Sequence, residues 1–192
     1  MNRKDSANAE RLFYEQEETK MALPAIDVGL MDEHLTTHEG IINKLKYYHS
    51  IVNHPDLKHI INLQIMVMQD HVRVMLGLLD PNRNQWITLS PINLSNGHNK
   101  HIEKGNTSNT SLHKSIAIEA RSTAKFMANS NFTSALMMKD PNIKHIHFEM
   151  AIQQATLERN YNDFIKKMGW EHPPKVTKET QVFTIQKHQH LL

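Results

Sequence analysis

From Met31 onward, large or apolar positions step by three and four: Met31, His34, His38, Ile41, Leu45, Tyr48 and Val52. That spacing turns one helical face toward a core, and both histidines belong to that face. The run ends at Asn53-His54, because the residue before Pro55 is steered out of the α region. Pro55 suits the first turn of a second helix, and Asp56 suits its positive end. The second seam reads Leu57, Ile61, Gln64, Met68, His71, Met75 and Leu78, closing near Asp80-Pro81. A third helix is predicted from Ser111 or Leu112 to Met138, with Ile116, Glu119, Thr123 and Phe126 or Met127 facing inward. Its Ala117, Ala120, Ala124 and Ala128 would let a neighbour approach closely. Its second half, NSNFTSALMM, is a weaker helix and is expected to kink or fray. A fourth helix follows Asp140-Pro141, with Ile143, His147, Met150, Gln154, Leu157, Tyr161, Phe164 and Met168 inward, until Gly169 supplies a C-terminal stop.

Between Pro81 and Ser111 the chain is rich in Asn, Ser, Gly and Thr and has no helical period. So long a connection is uncommon in a compact domain unless its ends lie far apart. A helix of about 25 residues is roughly 37 Å long, a distance that about thirty extended residues cross easily. Two short connections around one long crossover predict an all-α fold, a ferritin-like four-helix bundle with the crossover between helices two and three. The turns HPDLKHI (54–60) and DPNIKHI (140–146) share Pro, an apolar residue, Lys, His and Ile at a spacing of 86. Either two related hairpins or convergent turn chemistry would produce this. The expected organisation is a charged segment over 1–28, the helical domain over 29–170 and an extended tail over 171–192.

Composition narrows the function classes. Lys and Arg total 22 against 20 acidic residues, with no run of five like charges, so neither a nucleic-acid partner nor an anionic membrane surface is expected. There is no cysteine, which excludes disulfides, thiolate metal sites and a cysteine nucleophile. The first twenty residues carry nine charges and no apolar stretch, unlike a secretory signal, so a soluble protein made in the cytoplasm is expected. Fourteen histidines and eleven methionines are the compositional excess.

Projected inward, the seams gather His34, His38, Gln64, His71, Glu119, His147 and Gln154. Carboxylate di-iron bundles use a Glu on two helices and Glu-x-x-His on the other two. Here Met31, Leu35, Met68 and Lys144 stand three residues before His34, His38, His71 and His147, so the di-iron pattern fails. A histidine-rich zinc or copper site would draw on His34, His38, His71, Glu119 and His147. Counted from the two turns, these positions differ in depth: His34 and His71 by roughly 7 Å at 1.5 Å per residue, and Glu119 and His147 by more. The set is therefore expected to be smeared along the axis, with the groups bonding one another, the backbone or buried water. No metal, cofactor or catalytic residue is expected. Glu33 and Glu39 fall off the seam. His59 and His145 belong near the bundle ends, and His188 and His190 in the tail. His38-Glu39 begins an H-E-x-x-H zinc motif, but Ile42 stands at its second histidine. The methionines read as irregular core filling.

The stretches THEGIINKLKYYHSIVNHPDLKHIINLQI and MKDPNIKHIHFEMAIQQATLERNYNDFIKKMGWEHPP resemble the spore coat protein F family of endospore-forming bacteria. The likeness lies in a His-Glu near the start of the first helix, a Pro-Leu-Lys turn, and a final helix closing on Gly169-Trp170 with Pro173 beyond. It spans about 140 residues, from near Leu30 to Pro174. It implies a ferritin-like helical fold and a non-enzymatic structural or interaction protein of the spore, acting in sporulation. The expected location is the spore coat or the sporulating cell's cytoplasm, with other spore proteins or further copies of itself as partners. The family has no catalytic residues to transfer. The charged N-terminus, the Asn-rich crossover and the tail KVTKETQVFTIQKHQHLL depart from its pattern.

Overall fold

The computed structural model describes residues 22–92 and 110–192. They form helices only: α1 (Ala25–Ile51), α2 (Pro55–Leu79), α3 (Thr110–Met137), α4 (Pro141–Lys167) and α5 (Lys178–His188), closed by a short 3-10 turn at Gln189–Leu191. The expected charged segment 1–28 and the middle of the crossover lie largely outside the described residues.

Helices α1 to α4 pack along one another, most closely as the pairs α1/α2 and α3/α4. The predicted seams are the buried faces: Leu57, Ile61, Gln64, Met68, His71, Met75 and Leu78 of α2 are all fully buried. On α3, Met127 faces inward and Phe126 is exposed. α3 runs unbroken through NSNFTSALM rather than fraying, because Asn131, Ser134 and Ala135 are buried against its neighbours. Packing of a helical face outweighs modest propensity.

The turns are built from the residues the sequence singled out. Pro55 and Pro141 each occupy a first helical turn. Asp140 caps α4, its side chain accepting from the N–H groups of Asn142 and Ile143, both at 2.9 Å. α4 ends in a Schellman motif: Gly169 takes φ +67°, its N–H reaches Lys166 O, and Trp170 N–H reaches Ile165 O. The Trp170 ring then packs 5.6 Å from Phe164.

Three contacts fix the topology. The buried Asp27 carboxylate, at the start of α1, accepts from the backbone N–H groups of Lys139 (2.9 Å) and Asp140 (2.7 Å). Lys167, at the end of α4, pairs with Asp56 at the start of α2 at 2.8 Å. The His54 and His113 rings, from the first turn and the start of α3, meet at 6.3 Å. The α1–α2 and α3–α4 turns therefore lie at opposite ends, with α1 parallel to α4 and α2 parallel to α3. The segment between α2 and α3 has to travel the length of the bundle. Its first part is pinned to α4: the Asn142 side chain accepts from Arg83 and the Ile87 N–H and donates to Ile87 O.

Two expectations change. α1 begins at Ala25, six residues before the apolar period becomes visible. The stretch 171–192, read as an extended tail, contains helix α5, every residue of which is exposed, including Val182, Phe183 and Ile185.

Candidate functional site

Two large apolar clusters and a small one of Val67, Ala124 and Leu157 fill the interior. Of the large ones, the first lies around the α1–α2 turn with Leu45, Leu57, Ile61 and Phe164; the second lies at the opposite end with Met31, Met75, Leu78 and Ile143. Toward the second cluster sits a polar layer of four buried histidines. His34 and His38 stand one turn apart on α1, His71 faces them from α2 and His147 from α4. The rings of His34 and His147 are 5.2 Å apart and those of His38 and His71 5.5 Å. His38 Nε2 lies 3.3 Å from His71 Nδ1.

The set is spread over two adjacent levels one helical turn apart, His38 with His71 and His34 with His147, and Glu119 lies far from both. Depths counted from a shared turn hold within each hairpin; what they do not give is the meeting of His34 with His147, which follows from the two turns lying at opposite ends. His147, six residues beyond Pro141, is level with His34, nine residues into α1. His71, sixteen residues beyond Pro55, is level with His38, seventeen before it. Glu119 belongs far toward the other end. There it bonds Lys44 Nζ at 2.6 Å and Thr123 Oγ1 at 2.9 Å. Burial raises its carboxyl pKa, but the hydrogen bonds from Lys44 and Thr123 outweigh this and hold it below the usual range.

Each histidine is oriented by an outer partner. His38 Nδ1 donates to the His34 carbonyl at 2.7 Å, and His147 Nδ1 to the Ile143 carbonyl at 2.9 Å. His34 Nε2 meets Ser134 Oγ of α3 at 2.8 Å. His71 Nε2 meets Gln153 Oε1 at 2.9 Å, and Gln153 Nε2 donates to the Ser90 carbonyl at 2.8 Å. The described start of the crossover is thus tied to the cluster. Gln153 also lines a surface groove of about 260 Å³ with Leu89, Pro91, Glu149 and Ile152. His34 Nδ1 and His147 Nε2 are buried without a hydrogen-bond partner among the described residues.

Burial disfavours the charged form of all four rings. It lowers the pKa of His34, brings His38 to about 3 with help from the neighbouring His71, and brings His71 and His147 each to about 4. At neutral pH the cluster is uncharged. Among the described residues, no three His, Asp or Glu side chains stand together as a ready-made metal site.

Sequence reasoning missed two polar anchors. Asp27 continues the α1 seam one turn before Met31, but a carboxylate is invisible to a search for apolar periods. Gln153 is half-buried and lies beside the seam residue Gln154, so only the fold reveals it as the outer partner of His71. Glu33, Glu39, His59, His145, His188 and His190 are exposed, as their positions implied.

No family model matches the chain, and no curated protein matches it. Among solved structures, one from Bacillus halodurans C-125 described as a "putative spore coat protein" is similar, with a TM-score of 0.62 at 15% identity. The alignment covers 84% of this chain and 99% of that one. At that identity the likeness is one of fold. No helix among the described residues is long and apolar enough to cross a membrane.

Proposed function

We propose that this chain is a non-enzymatic structural or interaction protein of the bacterial spore, of the spore coat protein F kind, built as a ferritin-like four-helix bundle and acting in sporulation. The observation that carries the reading is the fold likeness to the Bacillus halodurans protein over nearly that protein's whole length, combined with the sequence motifs resembling the same class. The end-to-end arrangement of α1 to α4 supports the ferritin-like architecture, since it demands a crossover as long as the bundle.

The interior supports a cohesive role. His38 and His147 each donate to a backbone carbonyl, and Glu119 is occupied by Lys44 and Thr123 rather than by the histidines. An oxidase of the carboxylate type would need acidic groups at the histidine layer. α5 supplies the interaction surface. Its exposed Val182, Phe183 and Ile185 would be buried by other spore proteins or by further copies of the chain, in the coat or in the sporulating cell's cytoplasm.

The test is a time course of protein abundance in the organism that encodes it. Accumulation beginning after the onset of sporulation is expected. Equal abundance in growing and sporulating cells would overturn the assignment.

A further inference from the structure

α5 is 11 residues long, and a helix of that length is marginal in water unless a neighbour covers one of its faces. Its own bundle does not supply that neighbour among the described residues: every residue from Glu171 to Leu192 is exposed. Glu171 pairs with Arg121 of α3, which fixes the root of this C-terminal arm. The residues that follow are stiff, because His172 and Pro173 each precede a proline and are held extended. The arm therefore stands off the bundle. At 3.6 residues per turn, Ile185, Val182 and Phe183 share about half of the α5 circumference, and Lys178 and Lys187 flank that apolar face on opposite sides.

The same chain exposes a counterpart. Along the outside of α4, Phe148, Ile152 and Ala155 form an apolar stripe, joined to α3 through Phe132, whose ring lies 5.4 Å from that of Phe148. Phe132, Leu136 and Ile152 are 52, 60 and 66% exposed, too much apolar surface in one place to be incidental. Glu149 and Glu158 flank this stripe on opposite sides, nine residues apart, as Lys178 and Lys187 are on α5. Nine residues are two and a half turns and about 13.5 Å of helix. With the two apolar faces laid together along their axes, each lysine therefore meets a glutamate. Glu149 has His145 beside it at 3.4 Å, and Glu158, Lys178 and Lys187 have no ion-pair partner among the described residues.

We propose that α5 of one copy docks along the α3/α4 face of a second copy, and that the exchange is reciprocal, closing a two-fold dimer. This rests on the reading of α5 as an interaction surface and commits that surface to another copy of the chain. Apolar contact supplies the affinity, while the exposed lysine–glutamate pairs set the register.

The experiment is analytical ultracentrifugation of the untagged full chain. A dimer of the 22.3 kDa chain is expected. Changing the arm (Val182→Asp with Ile185→Asp) or the face (Ile152→Asp) should each raise the dimer dissociation constant more than about 100-fold. All three positions are exposed, and circular dichroism reports that the bundle is intact. Lys178→Glu with Lys187→Glu should weaken the dimer about tenfold or more, and adding Glu149→Lys with Glu158→Lys to that chain should restore it. Mixing the arm variant with the face variant leaves one sound arm opposite one sound face, so a heterodimer should form where neither variant dimerises alone. A monomeric wild type, a dimer indifferent to the arm and face changes, or a mixture that stays monomeric overturns the proposal. None of these outcomes alters the abundance time course, which tests the sporulation assignment separately.

Discussion

At the scale of single residues, the four buried histidines are held neutral by their surroundings. In the unfolded chain each takes up a proton near pH 6.5. In the fold, His38 resists until about pH 3, and His71 and His147 until about pH 4. Between roughly pH 6.5 and 4 the unfolded chain therefore binds more protons than the folded one, so stability falls as pH falls. Each such group contributes up to about 1.4 kcal/mol per pH unit in that window. Thermal unfolding of the protein should show a midpoint that drops steeply from pH 6.5 to pH 4.5, and His147→Gln should flatten that slope. A midpoint flat across the window would show that these rings titrate normally. The residue types were legible in the sequence as inward-facing histidines. The pairing of His34 with His147 was not, because it depends on which ends of the bundle the two turns occupy.

Among the elements, the four long helices were readable because each buries a face at three-and-four spacing and begins at proline or ends at glycine. The start of α1 was hidden because Asp27 continues the buried face with a carboxylate, satisfied by backbone N–H groups more than a hundred residues away. α5 was hidden for the opposite reason. Val182 and Ile185 are a single i,i+3 pair, too short a run to show a period, and α5 has no buried residue to impose a longer pattern. The end of α4 was legible down to its mechanism. Gly169 is the residue with positive φ among those described, and a side chain there would meet strain rather than crowding. Gly169→Ala should lower unfolding free energy by about 1–2 kcal/mol, read as a shifted urea midpoint with unchanged slope. An unchanged midpoint would mean the Schellman closure contributes nothing.

For the whole molecule, the ends of the helices carry the argument. Contacts from Asp27 to the α3–α4 turn and from Asp56 to Lys167 place the two hairpins head to tail. That arrangement brings His147 of the second hairpin level with His34 of the first and leaves Glu119 near the other end. It also makes the connection between α2 and α3 run the bundle's length, as the Asn-rich stretch had suggested from length alone. Neither the apolar clusters nor the histidine layer names a cellular role. That role rests on fold likeness and on motifs resembling spore coat protein F, so a measurement of location tests it most directly. Purified spores, separated into coat extract, decoated spore and mother-cell lysate and probed with antibody to this chain, should show the protein in the coat extract or the mother-cell lysate of sporulating cultures. Its presence in vegetative cytoplasm alone, with none in either sporulation fraction, would contradict the account.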